Sequence, residues 1–296
     1  MKYTVNHRLG FALAACFYLL VPAFAAAAAT GPEPVAPITD QPTQDWKPGK
    51  VVWMDLVTGD LRRAGAFYQA VFGWNIAYSK DGTFADVRYE NQPVATLSQY
   101  EDDQVPDGQA RWLVSISVDD VKMAVELVSA AGGKVLEWPV ELAGRGRYAL
   151  VEDSRGAMFM LLHATEGDPP DEPSSSNQWL WAELWTENPA EDAAFYERVI
   201  GYSSSIVKDN SGDEILVLGR DQLARSSVVP IQLEGVKPNW LPYLRIADME
   251  ATVRVLEKSG GQVLAGPMTD SEGSTVAVVA DPTGGVFAIQ QRGELK

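Results

Sequence analysis

The chain has 296 residues, 46% of them hydrophobic and nine of them tryptophan. That is enough apolar material for about two packed domains at roughly 150 residues each, and it argues against global disorder. A formal net charge of −16 repels phosphate backbones, which speaks against nucleic-acid binding and for a soluble surface.

Residues 1–29 read as an export signal. Lys2 and Arg8 form a basic start, Leu9 to Val21 is apolar but short for a membrane span, and Pro22-Ala23-Phe24-Ala25 offers a small-x-small cleavage site. The expected location is therefore periplasmic or secreted. Leu13-Ala14-Ala15-Cys16 is similar to a bacterial lipoprotein box, so membrane association enters only if Cys16 is lipidated or the signal stays uncleaved. Cys16 is the only cysteine, and cleavage would leave a mature protein unable to form a disulfide.

Residues 30–50 contain five prolines and little apolar periodicity, the composition of a disordered Pro-rich linker. A first domain is expected over 51–164. Val51–Thr58 alternates as a strand. Asp60 is placed to cap a helix through Ala64, Phe67, Tyr68 and Val71, which Gly73 ends. Short strands follow over Trp74–Tyr78, Phe84–Tyr89 and Val94–Gln99. The rhythm then restarts with a strand over Trp112–Val118 and a helix capped by Asp120 that Gly132-Gly133 stops. Strands over Lys134–Trp138, Tyr148–Glu152 and Met158–His163 complete the domain. Residues 165–176, with Pro169-Pro170, Pro173 and a serine run, read as an acidic linker to a second domain over 177–292.

The second domain repeats the first at an offset of 128 residues. Trp53-Met54-Asp55-Leu56 matches Trp181-Ala182-Glu183-Leu184, Phe67-Tyr68 matches Phe195-Tyr196, Gly132-Gly133 matches Gly260-Gly261, and Asp153 matches Asp281. The match slips by one residue only in the middle, where Ala95 fits Ala224. A domain-sized period marks a duplicated domain and not a solenoid. The fold class is α+β, with paired βαβββ modules in two tandem domains, four modules in all. A helix in each module covers one sheet face, and the other face is free to curl around a cavity.

This nested pattern resembles the glyoxalase/bleomycin resistance/extradiol dioxygenase (vicinal oxygen chelate) superfamily over nearly all of residues 51–292. The residues that carry the resemblance are Gly59-Asp60-Leu61 leading to Phe67-Tyr68 and Val71-Phe72-Gly73-Trp74. Ser117-Val118-Asp119-Asp120 and Val279-Ala280-Asp281-Pro282-Thr283-Gly284 add to it. The superfamily includes lyases, dioxygenases, epimerases and drug-sequestering proteins, so the resemblance implies a fold more sharply than a reaction.

Metal-dependent members hold a divalent ion with His, Gln and Glu from four strands. The positions this implies are Trp53 and Trp181 for the first ligand, and Ala95–Leu97 and Ala224–Ser226 for the second. The third falls on Leu113 and Leu241, the fourth on Met160 and Ala288. None carries the family's ligands. Only His7 and His163 exist in the chain, so the common His- and Cys-based zinc site cannot be assembled, and neither a metal site nor a cofactor is expected. A Ser-His-Asp hydrolase is disfavoured by the same histidine count.

Strand alternation places Trp53 and Asp55 on the cavity face with Ser115 and Met160. In the second copy it places Trp181 and Glu183 there, with Tyr243, Arg245 and Gln290. These nine residues are the candidate ligand-binding set, and Asp55 and Glu183 the candidate catalytic carboxylates. A structural brace, for instance Glu183 with Arg245, accounts for the same carboxylates without chemistry. Trp53 and Trp181 suit stacking on a planar ligand and equally suit filling a cavity. The expected function is an exported glyoxalase-like protein that binds a small molecule without the family's metal. Two alternatives stand beside it: an enzyme related to lactoylglutathione lyase or a dioxygenase with Glu183 or Asp55 as base, and a non-catalytic interaction protein. Whether it is an enzyme stays open, and a homodimer is compatible with the sequence.

Overall fold

A computed structural model describes residues 33–100, 110–208, 214–231, 235–269 and 273–292. The expected export signal, with Cys16, lies outside the described residues. So do residues 30–32 of the expected linker. Among the described residues no helix is long and apolar enough to cross a membrane.

The first domain runs β1 (Val51–Thr58), α1 (Leu61–Phe72), β2 (Asn75–Tyr78), β3 (Phe84–Tyr89) and β4 (Gln92–Gln99). It continues with β5 (Arg111–Ser117), α2 (Val121–Ala130), β6 (Lys134–Leu142), β7 (Gly146–Glu152) and β8 (Met158–Ala164). The second runs β9 (Trp179–Thr186), α3 (Pro189–Ile200), β10 (Ser203–Lys208), β11 (Glu214–Arg220) and β12 (Leu223–Pro230). It ends with β13 (Asn239–Ile246), α4 (Met249–Lys258), β14 (Gln262–Thr269), β15 (Thr275–Ala280) and β16 (Val286–Gln291). Each domain is one eight-stranded mixed sheet, ordered β2-β3-β4-β1-β5-β8-β7-β6 and β10-β11-β12-β9-β13-β16-β15-β14. In every module the first and last strands pair parallel, which a helical crossover permits, and the two modules of a domain meet antiparallel at β1–β5 and β9–β13.

The helix signals act as local chemistry requires. Asp60 accepts from the Arg63 N–H, Asp120 from those of Lys122 and Met123, and Asp248 from that of Ala251. Gly73 and Gly201 close α1 and α3 in the left-handed conformation. The strand β6 runs four residues past the expected end at Trp138. It is an edge strand, and Pro139 falls where its pairing with β7 is irregular, so the missing N–H is tolerated.

Alternation sends Met54 and Leu56 of β1, with Val114 and Ile116 of β5, into one core shared with Leu184, Leu244 and Phe287 of the second domain. Helix α1 packs on α4, α2 on α3, and β5 on β13. The seam is reciprocal. The Tyr68 hydroxyl donates to Asp281 (2.7 Å) and accepts from the Trp112 indole (2.9 Å). The Tyr196 hydroxyl donates to Asp153 (2.9 Å) and accepts from the Trp240 indole (2.9 Å). The far face of each sheet is left as a cup.

The described part of the expected disordered linker is an ordered strap instead. Residues 33–50 form no helix or strand, yet Val35 and Ile38 are buried. The Ala36 N–H donates to both oxygens of Asp86, the Trp46 indole to the Ala164 carbonyl, and the Lys47 N–H to Asp168. The acidic connector answers it: Asp168 also accepts from Ser117 (2.6 Å), and Asp171 pairs with Lys50 (3.0 Å) and Arg225 (2.7 Å). Prolines suppress helix and strand, but they do not prevent docking when the backbone groups find partners elsewhere.

Candidate functional site: two unequal cups

In the first cup β1 contributes Trp53 and Asp55, β4 Thr96, β5 Ser115 and β8 Met160. All but Met160 are buried. The turn between β6 and β7 adds Arg145, which is 3% exposed. Its guanidinium donates to Asp55 Oδ1 (2.9 Å), to Thr96 Oγ1 (2.6 Å) and to the Ala36 carbonyl of the strap (3.3 Å). The guanidinium carbon stands 4.8 Å from the centroid of the Trp53 ring, and Ser115 donates to the other oxygen of Asp55 (3.4 Å). Burial pushes the Asp55 carboxyl up from its ordinary value, and Arg145 works against that shift. Gly144 lets the strap close over this turn, because a Cβ there would lie 2.3 Å from the Val35 carbonyl oxygen. Asp55, a candidate base, is thus ion-paired inside a closed cup and is not poised for proton transfer. His163 is held from both sides: Trp46 stacks on it at 5.3 Å, and its Nδ1 lies 3.0 Å from the Val118 carbonyl.

The second cup is open. Trp181, Glu183, Trp185, Arg245 and Gln290 are all partly exposed, and Tyr243 stands between them on β13. Glu183 Oε2 accepts from the Tyr243 hydroxyl (2.5 Å) and the Trp185 indole (3.2 Å), and Oε1 from Ser227 (3.1 Å). Ser227 in turn accepts from the Trp181 indole (2.9 Å). Burial, reinforced by Glu183, raises the Tyr243 phenol well above its ordinary value. The brace considered between Glu183 and Arg245 is not made: Arg245 donates to the Ser174 carbonyl (2.6 Å) and lies opposite Gln290 in register. An open groove of about 830 Å³ follows the seam between the cups, past Ile38, Pro169, Leu180 and Trp181.

Two residues escaped the sequence reading. Arg145 is flanked by Gly144 and Gly146 in a turn, and its mark was that the second copy has no counterpart. Ser227 was missed because the expected position in β12 was Ala224–Ser226. Both copies skip a residue here, Val94 in β4 and Arg225 in β12, and these strands match at an offset of 227 − 96 = 131 residues instead of 128, so Ser227 partners Glu183 as Thr96 partners Asp55.

The model of the Glyoxalase/Bleomycin resistance protein/Dioxygenase superfamily matches residues 50–161. A Mycobacterium tuberculosis protein named "Putative glyoxylase CFP32" is 28% identical over 250 residues, covering 83% of this chain and 95% of the relative. The anthracycline biosynthesis protein DnrV of Streptomyces peucetius is 25% identical over 257 residues, covering 82% and 93%. The crystal structure of the Mn(II)-bound glyoxalase from Novosphingobium aromaticivorans aligns with TM-score 0.58 and 18% identity over 83% of this chain and 82% of that one. That of 2,2',3-trihydroxybiphenyl 1,2-dioxygenase from Sphingomonas wittichii aligns with TM-score 0.56 and 16% identity over 83% and 91%. At these identities the structures speak to fold alone. By its family model the first domain belongs to the Glyoxalase/Bleomycin resistance protein/Dioxygenase superfamily, and the second domain repeats its eight-stranded βαβββ sheet.

Proposed function

We propose that this is an exported small-molecule binding protein of the superfamily that works by sequestration or sensing, with the second cup as its site. The observation that carries the reading is the inequality of the cups. The first is filled by Arg145 and roofed by the strap, whereas the second keeps a partly exposed carboxylate among Trp181, Trp185 and Tyr243. An aromatic, concave face with a few convergent polar groups is the usual form of a small-ligand site.

The family's divalent ion does not fit the groups present, and no step is derived through one. The four implied positions carry Trp53, Thr96, Leu113 and Met160 in the first cup, and Trp181, Ser227, Leu241 and Ala288 in the second. Among the described residues no three His, Cys, Asp or Glu side chains gather where they could share an ion.

Two measurements on the purified mature protein test the reading. Trp fluorescence titrated with a panel of small aromatic metabolites is expected to quench on binding, and to lose that response in Trp181→Ala. Elemental analysis is expected to find no stoichiometric transition metal. Silence across the panel, or one divalent ion retained per chain through gel filtration, overturns it.

A further inference from the structure

The two cups carry the same constellation, and only one is filled by the chain itself. In the first, a guanidinium lies over Trp53 while donating to Asp55 and Thr96. In the second, Trp181, Glu183 and Ser227 stand in the matching places. Glu183 faces Ser227 across β9 and β12 as Asp55 faces Thr96 across β1 and β4. The Trp181 indole donates to Ser227 as the Trp53 indole donates to Thr96.

Among the described residues, the second copy shows no cation paired with Glu183. Tyr148 pairs with Leu162 in the first domain and Val276 with Gln290 in the second, so both strands keep the 128-residue offset. Arg145 therefore corresponds to Gly273. Residues 270–274 hold Asp270 and Glu272 and no Lys or Arg. Among the described residues the partners of Glu183 are Tyr243, Ser227 and Trp185, all neutral. Arg245 does not supply the charge. It lies four residues beyond Leu241, the cross-strand neighbour of Glu183, and its guanidinium donates to the Ser174 carbonyl (2.6 Å) instead.

Given that the second cup is the ligand site proposed above, we propose that it takes the guanidinium or ammonium group of a small organic cation with an apolar or aromatic body. The charged group occupies the place that Arg145 holds in the first cup. A carboxylate beside an indole placed like that of Trp53 is the chemistry that recognises such a group. The second cup is the more aromatic of the two, because Tyr243 pairs with Trp181 where Ser115 pairs with Trp53. The net charge of −16 draws cations toward the molecule. A planar guanidinium can stack on Trp181 and still donate to Glu183 and Ser227, as Arg145 does in its own cup.

Calorimetric titration of the full mature chain with phenylguanidine and benzylamine, against neutral benzyl alcohol and anionic benzoate, tests this. Both cations are expected to bind at least tenfold more tightly than the alcohol, with benzoate weakest. Glu183→Gln is expected to abolish that preference, and Trp181→Phe to weaken both cations several-fold. Should Glu183→Gln fail to fold, the selectivity of the native chain and the Trp181→Phe response decide the matter. Alcohol binding as tightly as the cations, or cation affinity unchanged in a folded Glu183→Gln, overturns the cation assignment and leaves the second cup a ligand site. No binding by any of the four overturns the cation assignment too, and the metabolite panel then decides whether the second cup binds anything.

Discussion

Arg145 and Asp55 are a charge pair taken almost wholly out of water, at 3% and 7% exposure. Such pairs contribute little net stability over apolar replacements, but losing one partner strands the other. Arg145→Ala is therefore expected to cost about 3–5 kcal/mol in urea unfolding, whereas Arg145→Met combined with Asp55→Leu should recover most of it. If the single variant loses less than the double, the pair is not what closes the first cup. These residues also mark how far strand alternation reaches. It put Trp53, Asp55, Ser115 and Met160 on one face, and Trp181, Glu183 and Tyr243 on the other domain's matching face, because side-chain direction on a strand is a local property. It could not supply Arg145, which arrives from a turn 90 residues away from Asp55, nor Ser227, because β12 follows β4 at an offset of 227 − 96 = 131 residues and not at the 128 of the rest of the repeat.

Elements of the two domains interlock through bare backbone. Each helix-stopping Gly-Gly was legible as a terminator, but its second glycine does something a terminator does not need. A Cβ on Gly261 would lie 2.7 Å from the Phe67 ring, and one on Gly133 3.1 Å from the Phe195 ring. In each case the aromatic belongs to the other domain. Gly261→Ala is expected to destabilise by about 1–3 kcal/mol through overpacking, and its cost should shrink in a Phe67→Leu background. A double-mutant cycle by denaturant titration measures that coupling, and strictly additive costs would remove Phe67 as the cause. The contrast with the strap is instructive. Caps, helix spacing and strand alternation were readable because their partners lie within a few residues, so the four βαβββ modules follow from the sequence. The strap's partners are Asp86, Ala164 and Asp168. Five prolines gave no hint of partners that distant, and composition alone described a free linker.

For the molecule as a whole, several acidic groups are wholly or partly buried, at the domain seam, under the strap and on the sheets. Burial is the leading influence on Asp86, Glu137, Asp153 and Asp168, and it raises all four carboxyls above their ordinary values. The carboxyls shifted the other way include Asp81 and Asp120, held down by hydrogen bonds at exposed sites where solvent weakens their effect. A raised carboxyl holds its proton in the folded state at a pH where the unfolded chain has released it. The native state therefore binds more protons than the unfolded one, and stability falls as pH rises through that window. The buried phenols of Tyr68, Tyr196 and Tyr202, also raised by burial, extend the same sign to alkaline pH. Self-repulsion at a net charge of −16 acts in parallel, since mild acid relieves it. The melting temperature is accordingly expected to be higher near pH 5.5 than near pH 8, with a further fall above about pH 10 as unfolded tyrosines ionise. Differential scanning calorimetry across that range checks it. A melting temperature that instead climbs from pH 5.5 to 8 would mean that hydrogen bonds and nearby charges outweigh desolvation for these carboxyls.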